Sequence, residues 1–300
     1  MHCLFCKESS ENTKGVEHLI PESIGSKKLV LPKGLVCDKC NNYFALKVEN
    51  PVLSHPSMRN VRGWHQVPNK KGKYPSVLGV IAGTDIEINL RKNKAGKLEI
   101  RAEKQLQQRI VDEYIAKMGS AEDFSPFLFH IDIDPPQKEM SRFLAMMALE
   151  ALALRLSYSG EHERIIDEPC YDLIRNFARY GTGVDYWPYH RQVLHPMDAL
   201  MRHPDTNEWV QTGFGHDLIL TPHPETYFAF HLYGVQFVMN IGGPSIHGYE
   251  LWLKDNDPLE RCGIQLVRKV IDGKEMCFLE GDFDMKVGAS YDRERWSGGQ

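Results

Sequence analysis

Two pairs of cysteines near the start of the chain, Cys3-x-x-Cys6 and Cys37-x-x-Cys40, constrain its fold more than any other feature. Two CxxC pairs can set four thiolates around one Zn²⁺ as a closed tetrahedron, which leaves no coordination position open for chemistry. Such a site is structural: it holds together a segment of about 50 residues that is too small for a stable apolar core of its own. Two disulfides or a redox CxxC are the alternatives. No apolar leader precedes Cys3, so a cytoplasmic location is expected. The reducing conditions there favour metal over disulfides.

Between the knuckles lies a second chemical device, Glu17-His18, and directly after the second knuckle comes Asn41. A zinc scaffold has no need of an acid beside a histidine. On an extended strand, adjacent residues point to opposite faces and do different jobs. One arrangement makes Glu17 a carboxylate ligand of a catalytic divalent metal and leaves His18 to take a proton from water. Asn41 then begins a helix over 41–48, with Phe44 and Val48 on its buried side, and offers its amide oxygen as a second ligand. Oxygen ligands suit Mg²⁺ or Mn²⁺. The plain alternative is that Glu17 and His18 are solvated loop residues and Asn41 only caps the helix.

The run Glu17-His18-Leu19-Ile20-Pro21-Glu22-Ser23-Ile24-Gly25, followed by Gly34-Leu35-Val36-Cys37-Asp38-Lys39-Cys40-Asn41-Asn42 and Tyr43-Phe44, resembles an HNH endonuclease of the ββα-metal type with a four-cysteine zinc. The resemblance implies that His18 is the general base, Glu17 the acidic metal ligand before it and Asn41 the final ligand, with Asn42 its substitute. It implies that Cys3, Cys6, Cys37 and Cys40 hold structural Zn²⁺, and that Mg²⁺ or Mn²⁺ serves catalysis. The motif's middle Asn has no counterpart; Gly34 or a neighbour stands near its place. The resemblance covers about one sixth of the chain.

The net charge of −4 hides a split. Residues 1–110 carry 19 Lys and Arg against 10 Asp and Glu, whereas 111–300 carry 17 against 30. A basic half that faces nucleic acid and an acidic body fit this asymmetry. Arg59, Arg62, Lys70, Lys71 and Lys73, with Trp64 and His65 among them, form a candidate patch for phosphates and bases. The same stretch also reads as a linker whose Trp64 docks on the next domain. No apolar run approaches the roughly 20 residues that a membrane span requires. There is no phosphate-binding loop, dinucleotide fingerprint, serine nucleophile elbow or internal repeat.

The pattern beyond residue 75 predicts an α+β body with an antiparallel sheet and two or three helices. Helices are expected over 103–118, 136–159 and 169–180, the second with one apolar stripe through Met140, Phe143, Leu144, Met147, Ala148, Ala151 and Leu152. Arg175 and Arg179 are expected to be solvated. Strands are expected over 77–81, 85–90, 98–102, 127–133, 214–220, 227–233, 236–241, 249–253, 264–270 and 276–279. Turns are expected at Asn93–Gly96 and at Asp272-Gly273, and the tail from Asp282 is expected to be loosely docked. Cys170, Cys262 and Cys277 read as core thiols.

The expected division is a ββα-metal nuclease module over 1–55, a basic linker over 56–75, and an α+β body over 76–300. That body would sense, oligomerise or position DNA. The function expected is a metal-dependent DNA endonuclease or nickase acting on double-stranded DNA. It would serve as the effector of a restriction or phage-defence system, with a homo-oligomer or a partner protein. The rival from another class is a zinc-stabilised nucleic-acid-binding or sensor and assembly protein with no catalysis.

Overall fold

A computed structural model describes residues 1–69, 71–92, 98–117, 126–203, 206–221 and 225–281. The chain divides into two units. One comprises Met1–Pro21, Ser26–Glu49 and Gln137–Gln300; the other comprises Glu22–Gly25 and Asn50–Pro136. This division follows neither of the boundaries expected at 55 and 75. The turn expected at 93–96, Lys70, Met118 and the tail from Asp282 lie outside the described residues.

The first unit opens on a tight knuckle. Cys3 N–H donates to Glu8 O (2.9 Å), Lys7 N–H donates back to Cys3 O (3.0 Å), and Lys7 takes the left-handed φ of 58° that the turn needs. Leu4 N–H donates to Leu35 O at 2.8 Å and so draws the first knuckle onto the second. Residues 17–19 and 29–31 pair as two short antiparallel segments: Leu31 N–H donates to Glu17 O (2.9 Å), Leu19 N–H donates to Leu29 O (3.0 Å), and His18 faces Val30. Helix α1 (Asp38–Phe44) follows.

That helix begins three residues before the expected start at Asn41. Cys37, extended at φ −77° and ψ 155°, is its N-cap, and Asn41 lies inside it. Beyond α1 the turn Ala45–Glu49 is π-helical. Cys40, Phe44 and Val48, all buried, recur at a strict spacing of four. An α-helix at 3.6 residues per turn drifts off that spacing, and a widened turn restores it. Phe44 meets Phe5 edge to face at 4.4 Å.

The second unit takes up the chain with α2 (Asn50–Leu53) and α3 (Pro56–Trp64), then β1 (Val77–Ile81), β2 (Glu87–Lys92), β3 (Leu98–Ala102), α4 (Gln108–Lys117) and β4 (Phe127–Phe129). The expected linker is therefore helical at its start. Pro56 sits at a helix start that needs no amide donor, and Met58 and Val61 are fully buried. The strands form an antiparallel sheet in the order β3-β2-β1-β4. Val111 and Tyr114 of α4 pack on its Ile81, Ile88 and Phe127. Asn60 of α3 brackets β1: its amide donates to Leu78 O (2.9 Å) and His130 O (3.0 Å) and accepts from Leu78 N–H (2.7 Å).

The first unit then resumes with α5 (Gln137–Ser157), α6 (His162–Asp167), α7 (Asp172–Tyr180), β5 (Tyr189–Val193), β6 (Leu200–Arg202), β7 (Trp209–Gln211), β8 (Phe214–Leu220), β9 (Thr226–Leu232), β10 (Val235–Asn240), α8 (His247–Trp252), α9 (Pro258–Arg261), β11 (Ile264–Ile271) and β12 (Lys274–Gly281). Two sheets form instead of one. The first is antiparallel in the order β5-β10-β9-β8; the second runs β11-β12-β6-β7, with β12 and β6 parallel. Helix α5 packs on β8, β9 and β10 and also on α6, α7 and the π-turn. It is consequently buried around most of its girth and not along one stripe, with Met146, Leu149, Glu150 and Ala153 inside as well.

The segment 249–253 is helical, not a strand. Tyr-x-Leu-x-Leu alternates like a strand, but Ile246, Tyr249, Trp252 and Leu253 share one helical side that packs on Tyr227 and Val238. Gly181 ends α7 at φ 68°, as its position predicts. Cys170 is exposed, and Cys262 and Cys277 are half-buried. The chain is thus an α+β protein with a cysteine cluster at its N-terminal end and a larger sheet-containing part.

Candidate active site

The four knuckle sulfurs come together. Cys3, Cys6, Cys37 and Cys40 bring their Sγ atoms within 4.8 Å of one another, and Cys6 Sγ lies 3.7 Å from Cys37 Sγ. A tetrahedral Zn²⁺ with bonds of about 2.3 Å separates its sulfurs by about 3.8 Å, whereas a disulfide closes to about 2.05 Å. The spacing therefore fits a structural zinc, and none of the cysteines is paired as a disulfide. Cys3 is drawn down to about 4 by the Cys40 thiol and by the amides of Cys6, Cys37 and Phe5; burial pushes Cys6 up to about 11. Backbone donors of this kind are what a thiolate ligand needs.

Helix α7 clamps this cluster. Arg179 is 5% exposed, donates from Nε to Cys40 Sγ at 3.3 Å and lies over the Tyr43 ring at 3.6 Å. Arg175, 2% exposed, donates from Nε to Leu4 O (2.7 Å) and from Nη2 to Ile165 O (2.6 Å), and pairs with Asp172. Arg142 of α5 reaches Tyr43 Oη (3.3 Å) and Ala178 O (3.1 Å). The solvated positions expected for both α7 arginines are thus corrected. Their pattern one turn apart fits either face, and only the fold supplies the carbonyls and thiol that draw them inward.

Glu17 is 6% exposed, and His18 is half-buried beside it, as opposite faces of a strand require. The two halves of the motif meet through Asn41, whose Nδ2 donates to Val16 O at 2.9 Å, next to Glu17. Asn42 is exposed. One turn earlier, Asp38 accepts from Lys14 N–H (3.0 Å) and Gly15 N–H (2.8 Å), and these amides hold its carboxyl below the usual range. Gly34, near the place of the motif's middle Asn, is a turn residue at φ 91° without a side chain to offer.

An oxygen-ligand cation fits this neighbourhood on one independent observation. Glu150 of α5 is fully buried, neither of its carboxylate oxygens has a hydrogen-bond partner, and the charges that act on it are those of Glu17, Glu49 and Cys3. Among the described residues, no second group of three His, Cys, Asp or Glu side chains closes as tightly as the cysteines do. Sequence reasoning singled out neither Glu49 nor Glu150. The signal for Glu150 was a lone acid inside the apolar run 146–154.

The described residues of the candidate basic patch differ in burial. Arg62 is 9% exposed and donates to Ser23 O (2.7 Å) and Leu53 O (3.4 Å), which engages its guanidinium in the interior. Arg59 donates to Ser76 Oγ at 2.5 Å. Lys71 and Lys73 are exposed, and Trp64 is 50% exposed. No helix among the described residues is long and apolar enough to cross a membrane. No curated protein and no solved structure matches the chain. The thiol cluster, the Glu17-His18 strand and the helix that carries Asn41 all fall inside residues 3–57, and that segment matches the family model of the HNH endonucleases, which supports a nuclease-type function in general.

Proposed function

We propose that the protein is a metal-dependent endonuclease or nickase that hydrolyses phosphodiester bonds in double-stranded DNA. The observation that carries this reading is the bond from Asn41 to Val16 O beside the thiol cluster. It ties the strand bearing Glu17 and His18 to the helix bearing Asn41. In this reading Glu17 and Asn41 hold the cation, and His18, on the other side of the strand, accepts the proton of the attacking water. Mg²⁺ or Mn²⁺, when bound, supplies the positive charge that stabilises the pentavalent phosphorus and the departing 3′ oxygen. The cysteines keep the zinc structural, so base and cation come from separate devices. The rest of the chain acts as the sensing or assembly body of a restriction or phage-defence effector, joined to the zinc cluster through Arg175 and Arg179.

The test separates the roles. In nicking assays at rising Mn²⁺, Glu17→Gln and Asn41→Ala shift the half-maximal Mn²⁺ concentration upward by about ten-fold. His18→Ala lowers the rate by about 100-fold or more at every Mn²⁺ concentration. A His18→Ala defect repaired by saturating Mn²⁺ contradicts the assignment.

A further inference from the structure

Glu150 is unusual for its place. It stands in the middle of α5, between Leu149 and Ala151, and all three are buried. A carboxylate so placed normally has a partner, because an ionised group without one is very costly to bury. Glu150 has none at either oxygen, and the charges that act on it are negative: Glu17 first, then Glu49 and Cys3. Burial and these neighbours push its carboxyl above the usual range. Carboxylates gathered out of water are relieved in one of two ways, by a proton on one of them or by a cation among them.

Two features of the fold direct Glu150 toward that use. The π-turn Ala45–Glu49 carries Glu49 on the same helical run as Asn41 and packs against α5. Arg142, two turns before Glu150 on α5, reaches Tyr43 of α1. Helix α5 therefore lies along the segment that carries the motif.

We propose that Glu150 is a ligand or ligand-orienting carboxylate of the divalent-cation site, supplied by α5 from outside residues 3–57. This inference rests on the reading of Glu17 as a cation ligand. It makes the site a product of two stretches of chain more than 100 residues apart, so residues 3–57 alone bind the cation poorly.

The test uses the full, zinc-loaded chain, with Mn²⁺ as probe and free Mn²⁺ followed by electron paramagnetic resonance. The parent, Glu150→Gln, Glu150→Met and Glu17→Gln are compared, with zinc content and melting temperature measured on each. The inference predicts that both Glu150 variants keep zinc and bind Mn²⁺ at least ten-fold more weakly, as Glu17→Gln does. It also predicts that Mn²⁺ raises the melting temperature of the parent and not of the Glu150 variants. Glu150→Met covers the case in which Gln fails to fold, since an apolar side chain of similar size removes the buried charge. Parental Mn²⁺ affinity in either folded variant overturns the inference and makes Glu150 a core residue. Weakened Mn²⁺ binding together with a parent that never nicks DNA keeps this inference and removes the nuclease reading. Nicking by the parent with unchanged Mn²⁺ affinity in the variants does the reverse.

Discussion

Arg179 shows how one side chain ties a metal centre to a body. Its guanidinium donates to a buried sulfur and lies over a tyrosine ring, 3.6 Å from the ring centre. A planar donor does both, and an ammonium does not. Arg179→Ala removes a hydrogen bond to a charged ligand, which contributes about 1.5–3 kcal/mol. Arg179→Lys recovers little of it. Urea unfolding and the rate of zinc release to a chromogenic chelator check this: both variants lose stability and release zinc faster, and parental release rates in both would contradict the role. The cysteine cluster was legible because metal chemistry fixes residue types at short spacings, and the meeting of the Glu17-His18 strand with the helix of Asn41 follows from where the cysteines draw the chain. Arg175 and Arg179 were not, because their partners Leu4 and Cys40 lie 171 and 139 positions away.

Among the elements, α5 was legible almost to its ends, because 21 residues of mostly apolar helix leave little choice of state. The short strands β5, β6 and β7 were not, and α8 was mistaken for a strand, since six residues carry too few repeats to separate a period of 2 from one of 3.6. The sheet under α5 also carries a titration the sequence did not reveal. Burial draws the imidazoles of His216 on β8 and His231 on β9 each down to about 4; the Asp217 carboxylate opposes the shift at both, and His195, His216 and Arg261 add to it at His231. Both are neutral in the fold and charge more readily when unfolded. Their contribution to stability is intact above about pH 6.5 and is lost as pH falls toward 4, at about 1.4 kcal/mol per pH unit for each histidine. Urea unfolding at pH 7 and pH 5 should show the parent markedly weaker at pH 5 and His231→Gln less sensitive. Equal pH sensitivity in the two proteins would assign the acid loss elsewhere.

For the whole molecule, a module of about 50 residues needs help to stay folded, and here the help is double: a thiol cluster whose spacing fits zinc and two buried arginines from α7. The sequence divided the chain at 55 and 75, yet 1–21, 26–49 and 137–300 gather into one unit with 50–136 inserted. A discontinuous unit leaves no local mark in composition, since the contacts that define it join distant stretches. The charge split was real in the sequence, but Arg62 shows that a basic side chain can serve the interior. In the proposed chemistry a histidine beside a metal-binding carboxylate, steadied by a thiolate cluster, cuts a phosphodiester. Supercoiled plasmid incubated with Mn²⁺ and either the full zinc-loaded chain or its His18→Ala variant is the decisive comparison. Relaxed or linear product from the parent, abolished by EDTA and missing from a folded His18→Ala variant that still holds zinc, is the predicted result; no product from the parent, or parental cutting by the variant, contradicts it.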